Sequence, residues 1–392
     1  MPKKLLKIYL YSLYKGISIN TLSEHNTLGS QLHFLSETYP CFPDQDVFTK
    51  FLKILDLNIM NIFFQNIDYL RKHTTIDTSV LYGDGTIFEA CNNRHKIITD
   101  TNIARSNTKW TKILEDDNST DEQKKLAKEK LELNILRTCK LQELNRTSYG
   151  RTDEDSVILK AKNGSFIAGF NAQFIEEMEH GFIIYPHISN KNPDSAAFIN
   201  IIDDINKRYN PENFVLDTGY GTPEILLKLT SLNINPVIKA LKNENANKKI
   251  TDYSFELSEN DDCLIYPQGQ MLERVSTNDE GKTAFKAQNC KLCSIKNECL
   301  DKSKNKRVTI NVKEFKAFKK ANKAVNSDEG KELYSHRGNI CESPNGFIIY
   351  NLNGGKLKMR GQVRANTIVC LYAILYNLRR LISVKNIEKV NL

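Results

Sequence analysis

Several absences limit what this 392-residue chain can be. No apolar run reads as long enough to span a bilayer, so a membrane-embedded protein is not expected. The opening Met1-Pro2-Lys3-Lys4-Leu5-Leu6-Lys7 is basic and then apolar, but it lacks a small-residue cleavage site. Lys7 and Lys15 interrupt it at helical spacing, and no signal peptide is expected. Nine cysteines are too few and too unevenly spread for a secreted disulfide scaffold, and a reducing cytoplasm suits them better. The seven histidines form no His-Glu-x-x-His motif and no close pair, so each reads as structural. No internal repeat is visible. The single tryptophan, Trp110, is expected in the core.

The remainder is the composition of a soluble globular protein, 40% hydrophobic and 26% charged, long enough for more than one domain. The net charge of +8 is unevenly distributed. From Leu300 to Leu392 there are nineteen Lys or Arg against seven Asp or Glu, a surplus of twelve, so the rest is slightly acidic. Such a segment can neutralise phosphates, although a solvated charged face has the same composition.

Residues 1–75 read as a helical module. Leu5, Leu6, Ile8, Leu10, Leu13 and Tyr14 suit an amphipathic helix stopped by Gly16, Ser18 could cap a second, and another spans about Asp46 to Leu70. Strands are expected at Val80–Phe88, Ser165–Ile175, Gly181–Ile188, Phe214–Asp217 and Pro236–Lys239. Helices are expected at 119–145, from Pro193 to Tyr209, at Pro223–Leu232 and from Gln362 to Ile382. Pro344 suits a first helical turn better than a helix interior. The order predicts an α/β layer fold of the ribonuclease H type.

Three acids stand in well-marked contexts. Asp84, in Val-Leu-Tyr-Gly-Asp-Gly-Thr, and Asp217, in Phe-Val-Leu-Asp-Thr-Gly-Tyr-Gly, each end a short apolar run and are expected to project from a central strand. Glu342 lies in Arg-Gly-Asn-Ile-Cys-Glu-Ser-Pro-Asn-Gly, five residues after Arg337 and eight after Tyr334. Alone, each could be a turn, a cap or a surface acid. Together they could hold two Mg²⁺ (or Mn²⁺) ions, the arrangement that phosphodiester chemistry uses. Cys290-x2-Cys293-x5-Cys299, with Cys263 upstream, could form a structural zinc site or remain as reduced thiols. Cys41, Cys91, Cys139, Cys341 and Cys370 are expected to be buried.

Asp84-Gly85-Thr86, Glu89-Ala90 and Asn92 begin a series of motifs that continues through Lys109-Trp110, Gly169-Phe170-Asn171-Ala172-Gln173, His187-Ile188-Ser189, Asn192 and Asp194. Asp217-Thr218-Gly219-Tyr220-Gly221, Tyr334-x2-Arg337-x4-Glu342 and Asn377-Leu378-Arg379-Arg380-Leu381 complete it. In these, over almost its whole length, the chain resembles bacterial insertion-sequence transposases of the DDE class, the branch with a helical amino-terminal module and an insertion before the catalytic glutamate. The resemblance implies a ribonuclease H-like core with Asp84, Asp217 and Glu342 as catalytic metal ligands. It implies cutting of double-stranded DNA at transposon ends and joining of the freed 3′ hydroxyl to target DNA. It further implies a homodimer in the active complex and a cytoplasmic, nucleoid-associated setting.

Tyr334 and Arg337 match the pattern around the glutamate, Arg337 as a phosphate clamp or a structural ion pair. The family usually has phenylalanine where Asn345 stands and lysine where Ile349 stands; Lys356, Lys358 and Arg360 could supply that charge at the DNA. Its first cysteine often directly precedes Pro267, where this chain has Tyr266. The amino terminus reads as shorter than in relatives. Two alternatives stay open: a decayed remnant that only binds DNA, and a ribonuclease H-fold nuclease that does not join strands. The expected parts are a helical module over 1–75, the first part of the core over 76–240, a cysteine-containing insertion over 241–327, and a basic helical region over 328–392 that completes the core.

Overall fold

The computed structural model describes residues 2–18, 21, 43–161, 164–239, 254–266, 269–288, 290, 300 and 305–390. The fold is mixed α/β and divides into two compact units. One comprises Met1–Asp77, Asp84–Ala197 and Ile340–Leu392; the other comprises Thr78–Gly83 and Phe198–Asn339. The chain runs α1 (Pro2–Lys15), α2 (Gln45–Arg71), β1 (Val80–Glu89), β2 (Ile97–Thr99), α3 (Asp100–Glu115) and α4 (Asp121–Glu143). Then come β3 (Ser148–Gly150), β4 (Val157–Lys160), β5 (Phe166–Glu177), β6 (Ile183–Ser189), α5 (Asp194–Phe198) and α6 (Ile202–Tyr209). Next are β7 (Asn213–Leu216), α7 (Pro223–Ser231), β8 (Asn235–Ile238), β9 (Glu256–Leu257), β10 (Cys263–Ile265), β11 (Met271–Thr277), β12 (Lys282–Ala287) and β13 (Arg307–Asn311). Helices α8 (Val312–Asn326), α9 (Asp328–Gly346) and α10 (Gln362–Val390) end the chain.

In the first unit, Gly16 at φ +65° ends α1, a conformation that costs glycine little. Asp44 caps α2 by accepting the Val47 N–H at 3.0 Å. Phe48, Phe51, Leu52, Leu55, Ile59, Phe63, Ile67 and Leu70 recur three or four residues apart and are all buried. Helix α10 packs on α2 and on β6. Strand β4 pairs antiparallel with the start of β5, and β6 pairs antiparallel with its remainder, Asn171 opposite Ser189 and Ile175 opposite Tyr185. Phe88, Phe170, Phe174 and Phe182 are wholly buried among these strands; each such ring contributes roughly 1.5–3 kcal/mol by burial. Helices α3 and α4 pack together on β2 and β3.

The second unit holds the first four residues of β1, which pair in parallel with β7: Val80 with Asn213, Gly83 with Leu216. β7 in turn pairs in parallel with β8, Leu216 with Ile238. Phe214, Val215 and Leu216 are fully buried, as a strand with neighbours on both edges requires. Helix α8 packs on α7 and β8. Five antiparallel strands in the order β13-β12-β11-β10-β9 form a separate sheet around Phe255, Leu264, Leu272, Phe285 and Val308.

The structure departs from several expectations. The helix expected from Pro193 to Tyr209 is two pieces, Asp194–Phe198 and Ile202–Tyr209, and Asn210, at φ +45°, ends the second. α3 and β4 are additional to the expected elements. Pro344 lies inside α9 rather than in a first turn. Proline has no N–H for the Ile340 carbonyl, and the chain widens into a π-helical turn over Phe347–Asn351, closed by the Leu352 N–H on the Phe347 carbonyl. Contrary to expectation, Gln362–Asn386 is long and apolar enough to cross a membrane by length and composition. Most of that stretch is buried inside the protein, as befits a core helix. Ile368, Leu371 and Leu381 of α10 are buried.

Candidate active site

The second unit carries Asp217 at the carboxyl end of β7, immediately after Leu216. Its side chain is 52% exposed. One oxygen accepts the Thr218 N–H at 2.7 Å, and the other lies 3.8 Å from the Arg337 guanidinium on α9. Arg337 is itself only 17% exposed. Tyr334, one turn earlier on α9, has its hydroxyl pKa raised, first by burial and then by the Asp217 charge. The Lys239 ammonium sits 4.7 Å from the Tyr334 ring centroid. Lys239 directly follows β8, as Asp217 follows β7. Its only sequence signal was that position after an apolar run, and it was not singled out. The Tyr82 hydroxyl donates to the Leu333 carbonyl at 3.0 Å, which ties β1 to α9 within this unit.

Asp84 and Glu342 belong to the first unit. Asp84 is half-buried, and its Oδ2 lies 3.4 Å from the Asn345 side-chain nitrogen. The same nitrogen donates to the Cys341 carbonyl at 3.1 Å. Glu342, one turn before Asn345, is exposed.

Gly85 is required by close packing: a Cβ there would come 2.5 Å from Asp194 Oδ1 and 2.8 Å from Gln173 Nε2. Asn171 donates to that Asp194 oxygen at 2.7 Å, and Gln173 donates to Asn171 Oδ1 at 2.8 Å. Three of the motif stretches thus meet at the backbone beside Asp84. Within the second unit, Gly83 on β1 is the register partner of Leu216. The next residue on each strand is an aspartate, Asp84 on β1 and Asp217 after β7.

The basic residues Lys356, Lys358 and Arg360 are all exposed, and Lys356 donates to Glu89 at 2.6 Å. Cys290 is buried and its sulfur accepts the Lys306 N–H at 3.3 Å, and Cys263 is half-buried. Cys293 and Cys299 lie outside the described residues, as does Cys41. Cys341 and Cys370 are buried as expected, Cys91 is half-buried, and Cys139 is exposed because it sits on the outer face of α4. Trp110 is half-buried rather than core, with the Lys109 ammonium 4.9 Å from its ring centroid.

Among the described residues, no three His, Cys, Asp or Glu side chains gather into a ready metal cage. The donor chemistry still suits a hard cation, since Asp84, Asp217 and Glu342 offer carboxylate oxygens and Asn345 an amide oxygen. The Asn345 Oδ1 is buried and has no hydrogen-bond partner among the described residues.

None of the curated proteins compared matches this chain. Residues 265–382, which include Tyr334, Arg337 and Glu342 but neither Asp84 nor Asp217, match a family model described as a transposase DDE domain, and over that stretch the chain is similar to insertion-sequence DDE transposases.

Proposed function

We propose that this protein is a DNA transposase that cuts at transposon ends and joins them to target DNA, with Asp84, Asp217 and Glu342 as its metal-binding acids. The observation that carries this reading lies in the second unit: Asp217 stands beyond the carboxyl end of β7, where sites form in open α/β sheets, with the Arg337 guanidinium 3.8 Å away. Gly83 pairs in register with Leu216, and an aspartate follows each of them in the sequence. A ribonuclease H-type core is supported by the parallel pairs β1–β7 and β7–β8 in the second unit and by antiparallel β4, β5 and β6 in the first.

The acids would hold Mg²⁺ or Mn²⁺, which supplies an activated oxygen nucleophile and neutralises the leaving alkoxide. The protein's own contribution is positioning. Arg337 holds Asp217 and presents a guanidinium suited to a scissile phosphate. Tyr334 and Lys239 extend that polar surface at the ends of β7 and β8. Asn345 orients Asp84. Cys263, Cys290, Cys293 and Cys299 belong to the same reading as a structural zinc site, and a folded, zinc-free preparation would remove that part.

The decisive test uses DNA that carries the sequences flanking this gene. Asp84→Asn and Asp217→Asn are each expected to abolish Mg²⁺-dependent cleavage while leaving DNA binding intact. Undiminished cutting by either variant overturns the assignment.

A further inference from the structure

A cavity of about 270 Å³ in the first unit lies at the junction of α9 and α10, lined by neither Asp84 nor Asn345. Ser343 and Phe347 line it from the end of α9 and the π-helical turn, and Tyr376, Arg379, Arg380 and Ser383 line it from α10. The α10 residues are spaced three, four and seven apart, so they share one face.

Each cationic side chain is held in place. The Arg379 guanidinium lies 4.5 Å from the Phe347 ring centroid, a contact that orients its plane. Arg380 Nε donates to the His180 carbonyl at 2.6 Å. Tyr376, nearly fully buried, donates to the Ser343 hydroxyl at 3.2 Å. No carboxylate lines the cavity, and among the described residues neither arginine is in an ion pair.

Two guanidinium groups, two serine hydroxyls, a tyrosine hydroxyl and the Asn351 side chain, with the buried Phe347 as the one hydrophobic ring, make a poor pocket for a neutral metabolite. Such sites run to roughly 300–1,000 Å³ and are mostly apolar. They make a good cradle for a phosphodiester, which a fixed guanidinium can engage with two parallel hydrogen bonds.

We propose that this cavity binds one backbone phosphate of the DNA strand being processed, flanking the bond to be cut. The source is a strand rather than free phosphate because Ser343 immediately follows Glu342 on α9. DNA aligned on Glu342 therefore carries neighbouring phosphates past this helix. The assignment rests on the transposase reading above for that alignment, but its test does not.

Binding of duplex DNA bearing the gene's flanking sequences is measured by fluorescence anisotropy with EDTA present, between ~50 and 200 mM salt. One lost phosphate contact lowers the slope of log K against log salt by about 0.9. Arg379→Gln and Ser383→Glu are each expected to reduce that slope by about one unit and to weaken low-salt affinity about tenfold. Thermal melts confirm that these exposed substitutions leave the fold intact. An unchanged slope overturns the proposal, whether or not affinity falls, because a merely structural role does not alter the number of counterions released. A second arm titrates inorganic phosphate by ³¹P NMR. Arg379-dependent phosphate binding together with an unchanged DNA slope would assign the cavity to a free anion and overturn the strand assignment. Neither arm reads cleavage, so an error in the catalytic triad would leave this result interpretable.

Discussion

The side-chain amide of Asn345 lies 3.4 Å from the Asp84 carboxylate, and its own oxygen is buried without a hydrogen-bond partner among the described residues. A phenylalanine, the residue expected from the resemblance, could make neither interaction. Replacing Asn345 with aspartate would set a second negative charge beside Asp84. Two such charges ~4 Å apart cost about 4 kcal/mol at an effective dielectric near 20. Asn345→Asp is therefore expected to melt at a lower temperature than wild type in EDTA and to recover most of that loss with Mg²⁺. Calorimetry with and without Mg²⁺ checks this, and a metal-independent melting temperature would contradict it.

Arg337 raises a different question, because the same guanidinium could stabilise the fold or serve the reaction. Its partner Asp217 is half-exposed and 3.8 Å away, so solvent screening leaves the pair worth no more than about 1 kcal/mol. Arg337→Lys is accordingly expected to change stability little. If the guanidinium supports charge developing on a phosphate, cleavage should slow by roughly 10²–10³. Parallel urea titrations and single-turnover cleavage separate the two roles. Equal, small effects in both would assign Arg337 to structure alone.

Glu177 carries a pH dependence into the core. It is fully buried at the end of β5, and burial pushes its carboxyl up to about 7. The N–H groups of Glu179, His180 and Phe182, at 2.8, 2.9 and 3.0 Å, pull in the opposite direction. The folded pKa thus exceeds the unfolded value of 4.5. Between those values the native state holds a proton that the unfolded chain has released, so stability falls as pH rises through the window. The loss is at most about 3 kcal/mol. Glu177→Gln should flatten the difference in unfolding free energy between pH 5 and pH 8, read from urea titrations. An equally steep dependence in the variant would exclude Glu177 as its origin.

Sequence legibility followed the strength of local patterns. The helix around Phe48–Leu70 and the strands around Phe214–Leu216 carry strong apolar periods and named turn residues, and the structure has both close to their expected limits. The helix α3 is mostly polar and buries one residue, Ile103, so its few apolar positions did not mark it out. Pro344 misled because its cost was weighed locally, whereas the π-helical turn that accommodates it depends on the packing of Phe347 and Ile348. Asp84 and Asp217 stood out because each ends an apolar run, although β1 continues past Asp84 to Glu89. Lys239 and Asn345 did not, since a lysine after a strand or an asparagine near a helix end has many unremarkable uses. Their partners, Tyr334 and Asp84, are distant in sequence and reach them only through the fold.

Helix α2 is joined to α10 by a buried charged pair, with Asn377 donating to Asn66 further along the same interface. Arg364 donates to both oxygens of Asp56 at 2.7–2.9 Å, and the Thr367 hydroxyl donates to Asp56 at 2.6 Å. Both charged side chains are more than four-fifths buried. Removing one partner leaves the other charge desolvated, which costs about 3–5 kcal/mol, whereas removing both together costs far less. Asp56→Leu and Arg364→Met should each destabilise by about 3 kcal/mol, and the Asp56→Leu, Arg364→Met double variant should be closer to wild type than either single change. A double-mutant cycle from urea unfolding measures the coupling. Additive losses would mean that the pair is not the link between α2 and α10, and that apolar residues such as Ile59 and Phe63 hold the helices together unaided.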